Sequence, residues 1–272
     1  TLNINEADLV LINNTSNISL DAMRPDMLLS GLKSVTHNQN RQQNDIKLFE
    51  IGKTYKKGSN AFQEEQFISI FASGLDKPEN WQSQSKNINF YEIKRIVLKT
   101  LLSIGLTKYE VQELTDSNRL AYGIAIIVQN KKIAECGLVH PKIAKLMDAR
   151  NEVFYGEINL DLVFGMFKSN IQMKPISKFP VVTRDLAFIL DKKVSYAMLE
   201  TIGKKIGKPL LSEMTMFDLY DNEKHVGEGK KSVALRFNFE DSSKTLTELE
   251  IEQKMNALIK GYTSEVGALL RS

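Results

Sequence analysis

Cysteine, tryptophan, histidine and proline are all scarce in this chain of 272 residues, at one, one, three and six respectively. A single cysteine, Cys136, cannot staple the fold internally and leaves no Cys-based zinc site, which points to a reducing, cytoplasmic compartment. It also has no nearby histidine, so it reads as an inert core thiol. His37, His140 and His225 lie too far apart in sequence for a short ligand motif, and each reads as a surface or capping residue. No apolar run approaches the ~20 residues a membrane helix needs, and Thr1 to Val10 carries Glu6 and Asp8 where a secretory leader would be basic. No membrane association is expected. An excess of one charge is missing too. The net charge is +3, and from Pro175 onward 15 basic residues face 14 acidic ones, so neither half is a basic block that announces nucleic acid by itself. What is present, 42% hydrophobic and 25% charged residues, suits an ordinary globular protein with one large or two medium cores.

The chain divides by pattern into residues 1–170, a linker over 171–180, and residues 181–272. The seam shows no sustained period and carries Pro175 and Pro180. In the second part, Leu186, Phe188 and Leu190 alternate as a strand, and Leu199, Ile202 and Ile206 stripe a helix from Tyr196 to Gly207. Met214 to Tyr220 is the next strand, followed by a polar loop from Asp221 to Gly229. In the strand from Lys231 to Phe239, Val233, Leu235, Phe237 and Phe239 share the core face, leaving Arg236 and Asn238 on the other with Asp185 and Ala187. Thr247 and Glu250 form a capping box for a second helix, and Gly267 to Arg271 gives a last short strand. The order is βαββαβ, a ferredoxin-like arrangement whose helices cover one sheet face and leave the other open.

The first part reads as α+β, an antiparallel sheet with helices against it. A short strand is expected over Leu9 to Ile12, and a helix from Arg24 to about Gln42 with Pro25 in its first turn. Strands follow over Ile46 to Tyr55 and Gln66 to Ser73, joined by a long polar loop. An amphipathic helix spans Phe90 to Ile104. A hairpin turns about Asn130-Lys131, Pro141 opens a short helix, and Val153 to Asn159 is a strand.

Gly227-Glu-Gly229-Lys-Lys-Ser232 is not a phosphate-binding loop: its spacing fails, and a strand follows where the phosphate cradle needs a helix N-terminus. Arg184, Arg236, Arg271, Lys178, Lys230 and Lys231 fall at strand ends or on the open face of the second part. Taken one at a time they are as readily a solvated rim as a contact surface; as a group, with Asn238, they could neutralise a few phosphates.

Arg24-Pro-Asp-Met-Leu-Leu-Ser-Gly-Leu, Asn40-Arg41-Gln and Asp45-Ile-Lys-Leu-Phe-Glu-Ile-Gly52 resemble the carboxyl-terminal half of bacterial phenylalanyl-tRNA synthetase beta subunits. So do Lys178-Phe-Pro-Val-Val-Thr-Arg-Asp-Leu-Ala-Phe188, Phe217-Asp-Leu-Tyr220, Gly229-Lys-Lys-Ser232 and Thr245-Leu-Thr247. The resemblance covers nearly the whole chain. It implies a class II synthetase-like module followed by a ferredoxin-fold anticodon-binding domain. It also implies a degenerate ATP site: in Ile51-Gly52-Lys-Thr-Tyr-Lys56-Lys-Gly58, Lys56 stands where the family's active relatives have an arginine that clamps the α-phosphate, and Gly58 where they have a glutamate. A lysine lacks the planar fork needed for a bidentate clamp. No catalytic residue and no metal ligand is therefore expected, and a pocket without its arginine. The implied role is a non-catalytic scaffold for the synthetase alpha subunit, in an assembly of two alpha and two beta subunits, that also binds the anticodon region of the phenylalanine tRNA. ATP and magnesium are expected in the holoenzyme and no cofactor in this stretch. Thr1 in place of methionine, and the length, agree with a piece of a longer chain lacking the family's amino-terminal half. The alternatives are an autonomous amino-acid-activating enzyme and a generic RNA-binding or protein-interaction module outside any synthetase.

Overall fold

The computed structural model describes residues 4–13, 21–59, 61–115, 117–166 and 177–271, in two units, Thr1–Gln172 and Met173–Ser272. The linker expected at 171–180 falls mostly outside the described residues.

In the first unit the expected strand at Leu9 to Ile12 is reduced to a single bridge between Leu11 and Ala22, after a 3-10 turn at Glu6–Asp8. Helix α1 spans Met27–Gln39, shorter than expected at both ends. Its N-cap is Asp26, whose Oδ1 accepts the Leu28 N–H at 2.5 Å, so Pro25 stands before the helix and not in its first turn. Gln42, at a left-handed φ of 65°, lies past its end. Strands β1 (Ile46–Lys57) and β2 (Phe62–Ser73) pair along their whole length, from Ile46 opposite Ser73 to Lys57 opposite Phe62. The polar stretch expected to be a loop is thus a two-stranded ribbon. It extends past the core, so neither face needs apolar residues and the alternation that marks a strand disappears.

A small ribbon of β3 (Leu75–Lys77) and β4 (Lys86–Asn87) leads to α2 (Phe90–Ser103), capped by Asn89 and burying Ile93, Val97 and Leu101. Strands β5 (Glu110–Thr115), β6 (Leu120–Val128) and β7 (Lys131–Val139) follow. The β6–β7 turn is centred one residue earlier than expected: Gln129 and Asn130 both have positive φ, as a two-residue type I′ turn demands. Then come α3 (Pro141–Leu146), β8 (Val153–Asn159) and α4 (Leu160–Met166). The six-stranded sheet runs β1-β2-β8-β7-β6-β5, antiparallel throughout. Alternation along its central strands serves two cores. Ile70, Ala72, Phe154 and Ile158 pack with α2, while Phe71, Val153 and Tyr155 pack with Leu28, Leu32 and Val35 of α1.

In the second unit β9 (Val182–Asp191), α5 (Tyr196–Gly207), β10 (Leu211–Tyr220), α6 (Glu223–Val226), β11 (Lys230–Phe239), α7 (Glu248–Val266) and β12 (Leu269–Leu270) give the βαββαβ order, with one added helical turn, α6, inside the expected loop. The sheet order is β10-β11-β9-β12. Phe188, Leu190, Val233, Leu235, Phe237 and Phe239 pack under Leu199 and Ile202 of α5 and Ile251, Leu258 and Tyr262 of α7. The capping box of Thr247 and Glu250 is formed as the sequence indicates. Among the described residues no helix is long and apolar enough to cross a membrane.

Candidate nucleic-acid interface and the catalytic-like pocket

Lys56 lines a cavity of about 270 Å3 in the first unit, between the N-terminus of α1 and strands β1, β2, β7 and β8. The pocket is not arginine-free. Arg119, in the turn before β6, grips Glu157 bidentately, Nη1 and Nη2 each donating at 3.1 Å. The same guanidinium reaches Glu135 at 2.8 Å and Asp26 at 3.2 Å. Glu135 and Glu157 face each other across β7 and β8, a like-charge pair that would repel without the arginine. Lys132 takes the other oxygen of Glu135 at 2.6 Å, and the Tyr155 hydroxyl donates to Glu157 at 2.5 Å. Burial works against the charge on Arg119, but Glu157, Tyr155, Asp26 and Glu135 outweigh it and hold the group above the ordinary arginine range. Burial likewise raises the Asp26 carboxyl, only partly opposed by Arg119.

This lining does not suit a nucleoside triphosphate. Asp26, Glu65, Glu135 and Glu157 outnumber Lys56, Arg119 and Lys132, and the one arginine is already committed to carboxylates. Gly58 lies outside this lining, in the β1–β2 turn, where its N–H donates to the Ala61 carbonyl at 3.0 Å and a Cβ would come within 2.7 Å of that oxygen. A backbone turn requires glycine there. Among the described residues no group of three or more His, Cys, Asp or Glu is placed to hold a metal ion. Cys136 is buried and its thiol is pushed up to about 12 by burial. The sequence did hold a signal for Arg119: Glu135 and Glu157 sit inside apolar strand segments, and buried carboxylates call for a buried cation.

The basic residues of the second unit do not gather on one face. Arg184 has the parity of Leu186 and Phe188 and pairs with Glu248 at the start of α7 at 2.6 Å, on the helix-covered side. Lys231 has the parity of Val233, and its Nζ donates to the Lys192 and Val194 carbonyls at 3.0 and 2.6 Å, tying down the turn before α5. Lys230 sits opposite Asp191 at the start of β11, and Lys178 is exposed ahead of β9. Three of the expected residues do share the open face. Arg271 donates to the Ser232 hydroxyl at 3.2 Å. Asn238 accepts from Thr183 and donates to Glu213, both at 2.9 Å. Arg236 is clamped by Asp185 through Nε at 2.9 Å and Nη2 at 2.7 Å. The hydrogen bond from Arg236 holds the Asp185 carboxyl below the ordinary carboxylate range.

Phe217 completes this group, although it was not among the candidate residues. Counted from Met214 and Met216, which pair with the core residues Phe237 and Leu235, it shares the open side with Thr215, the partner of Arg236, and Arg236 Cζ lies 4.8 Å from its ring centroid. Phe237 and Phe239 are fully buried, as their register with Val233 and Leu235 indicates.

Residues 2–160 match the family model described as the phenylalanyl tRNA synthetase beta chain CLM domain, and residues 177–271 match the ferredoxin-fold anticodon binding domain. These matches define a class: a synthetase-derived sheet module joined to a ferredoxin-fold module. The chain belongs to the phenylalanyl-tRNA synthetase beta chain family. It is 34% identical to the phenylalanine–tRNA ligase beta subunit of Bacteroides fragilis over 279 residues, covering 97% of this chain and 34% of that protein. The corresponding subunit of Bacillus subtilis is 31% identical over 257 residues, covering 92% of this chain and 31% of that protein. The chain thus spans about one third of the length of the curated relatives it matches. The pyrrolysyl-tRNA synthetase of Desulfitobacterium hafniense superposes with a TM-score of 0.44 at 11% identity, over 58% of this chain and 52% of that one, a likeness that carries no argument.

Proposed function

We propose that the chain is a non-catalytic part of a cytoplasmic phenylalanine–tRNA ligase beta subunit. It packs against the alpha subunit, in an assembly of two alpha and two beta chains, and holds the anticodon region of the tRNA while phenylalanine is attached at the expense of ATP. ATP and magnesium then belong to the alpha subunit's site, because the acidic lining around Arg119 is unfit for a triphosphate. The observation that carries the tRNA half of the proposal is the uncovered sheet face of the second unit, on which Arg236, Asn238 and Arg271 are each held by a polar partner. Phosphate contacts set affinity there, and unstacked loop bases supply recognition.

The alpha-subunit half rests on edge strand β1, where Phe49 is 74% and Ile51 56% exposed on the same side of the strand. Monomeric surfaces rarely leave such apolar residues adjacent and uncovered. Coexpression with the alpha subunit tests this: the two chains are expected to copurify, and a Phe49→Asp, Ile51→Asp variant to lose the complex. The chain alone is expected to show no phenylalanine-dependent ATP–pyrophosphate exchange, and measurable exchange would overturn the non-catalytic assignment. Family membership weighs against a generic module outside a synthetase, which would have no reason to copurify.

A further inference from the structure

Arg236 is held in a way that a residue serving only as a positive charge does not need. Its two hydrogen bonds to Asp185 lie in the guanidinium plane and use Nε and Nη2, fixing that plane and leaving Nη1 uncommitted. Its Cζ lies over the Phe217 ring, 4.8 Å from the centroid. The side chain is nevertheless 45% exposed, so it remains accessible to a partner. Phe217 is itself 51% exposed, so burial of the ring does not account for its turning onto this face. The pairing of Ala187 with Ala234, next to that of Asp185 with Arg236, keeps the adjoining floor low.

We infer that the outward face of the Arg236 guanidinium is a stacking plane for one unstacked base of a single-stranded RNA loop, with Phe217 backing the plane and Asp185 setting its orientation. This inference rests on the RNA-binding role proposed above and assigns the contact to a base instead of a phosphate. The physical distinction is shape. A phosphate contact needs charge and is served by lysine, whereas a stack needs a delocalised plane, which lysine lacks. Asp185 is a positioning residue: it touches no base and acts only through Arg236.

The test measures binding of the full chain to the anticodon stem-loop of phenylalanine tRNA by fluorescence anisotropy across a salt titration. Arg236→Lys is expected to weaken binding roughly tenfold, as much as Arg236→Gln, with the salt dependence of the Arg236→Lys variant unchanged. Phe217→Ala and Asp185→Asn are expected to weaken it less, and neither to add anything in the Arg236→Lys background. Abasic substitution at one loop position should weaken binding to the wild type and have no effect on Arg236→Lys. If Arg236→Lys binds as the wild type does while Arg236→Gln is weakened with a shallower salt slope, the contact is to phosphate and the inference falls, with the RNA-binding role intact. If the wild-type chain does not bind the stem-loop, that role falls and this inference with it.

Discussion

Two arginines in this molecule each clasp a carboxylate with two nitrogens, and they do opposite jobs. Arg119 lies in a pocket, where Glu157, Glu135 and Asp26 engage both of its terminal nitrogens and only the buried Nε is left without a partner. Arg236 lies on an open sheet, where a single carboxylate fixes it, Nη1 remains uncommitted and the side chain is 45% exposed. The difference is burial. In a low-dielectric pocket every charge needs a counter-charge, so a buried arginine becomes structure. At an exposed site the same geometry contributes little to stability and can orient a group for a partner. Position thus separates the two roles where residue type does not.

The largest effect is expected from breaking the buried side of the comparison. Arg119→Met removes the one cation shared by three carboxylates, with Glu135 only 5% exposed, and is expected to destabilise the first unit by about 3–5 kcal/mol. Urea denaturation followed by circular dichroism reads this directly. A loss near that of an ordinary surface substitution would mean that the network is solvated and the comparison is false.

The same contrast accounts for what the sequence could and could not yield. The capping box of Thr247 and Glu250 lies within four consecutive residues and was legible, as was the burial of Phe237 and Phe239 from their register with Val233 and Leu235. Lys231 was also legible in principle, since it shares the parity of Val233 and so belongs with the covered side. For Arg119 only the need for some cation beside Glu135 and Glu157 was legible; which residue supplies it was not, because its partners come from α1, β7 and β8 and no local period relates them. Phe217 had the parity of the open face counted from Met214, but its meeting with Arg236 was hidden, because the pairing of β10 with β11 brings the two together and no local pattern reports that register.

A middle-sized effect lies outside both arginine sites and calibrates them. Thr247→Ala removes the hydroxyl that caps α7 and a donor to Glu250, and is expected to destabilise the second unit by about 1 kcal/mol in the same urea assay. Arg236→Gln should fall below it, within about 0.5 kcal/mol of the wild type, because its ion pair is exposed. An Arg236 variant more destabilised than the cap variant would place Arg236 with Arg119 as a structural residue.

The smallest effects are in pH dependence, where the two sites should differ in sign. Burial raises the folded-state pKa of Asp26, so folding disfavours its ionised form. Its contribution to stability is therefore greatest below the unfolded aspartate value and declines as pH rises from there through the folded value. Hydrogen bonding to Arg236 lowers the folded-state pKa of Asp185, so its contribution is present above the unfolded value and is lost as pH falls through the folded one. Asp26→Asn, which can still cap α1, should remove a decline on the alkaline side of the unfolded aspartate value; Asp185→Asn should remove one on the acid side. Carboxyl NMR titration of the wild type reads the same contrast without a mutation, with the Asp26 midpoint above the ordinary aspartate range and the Asp185 midpoint below it. If the order is reversed, burial does not separate the two sites. The assignment of Arg119 to structure and Arg236 to recognition would then lose its physical basis.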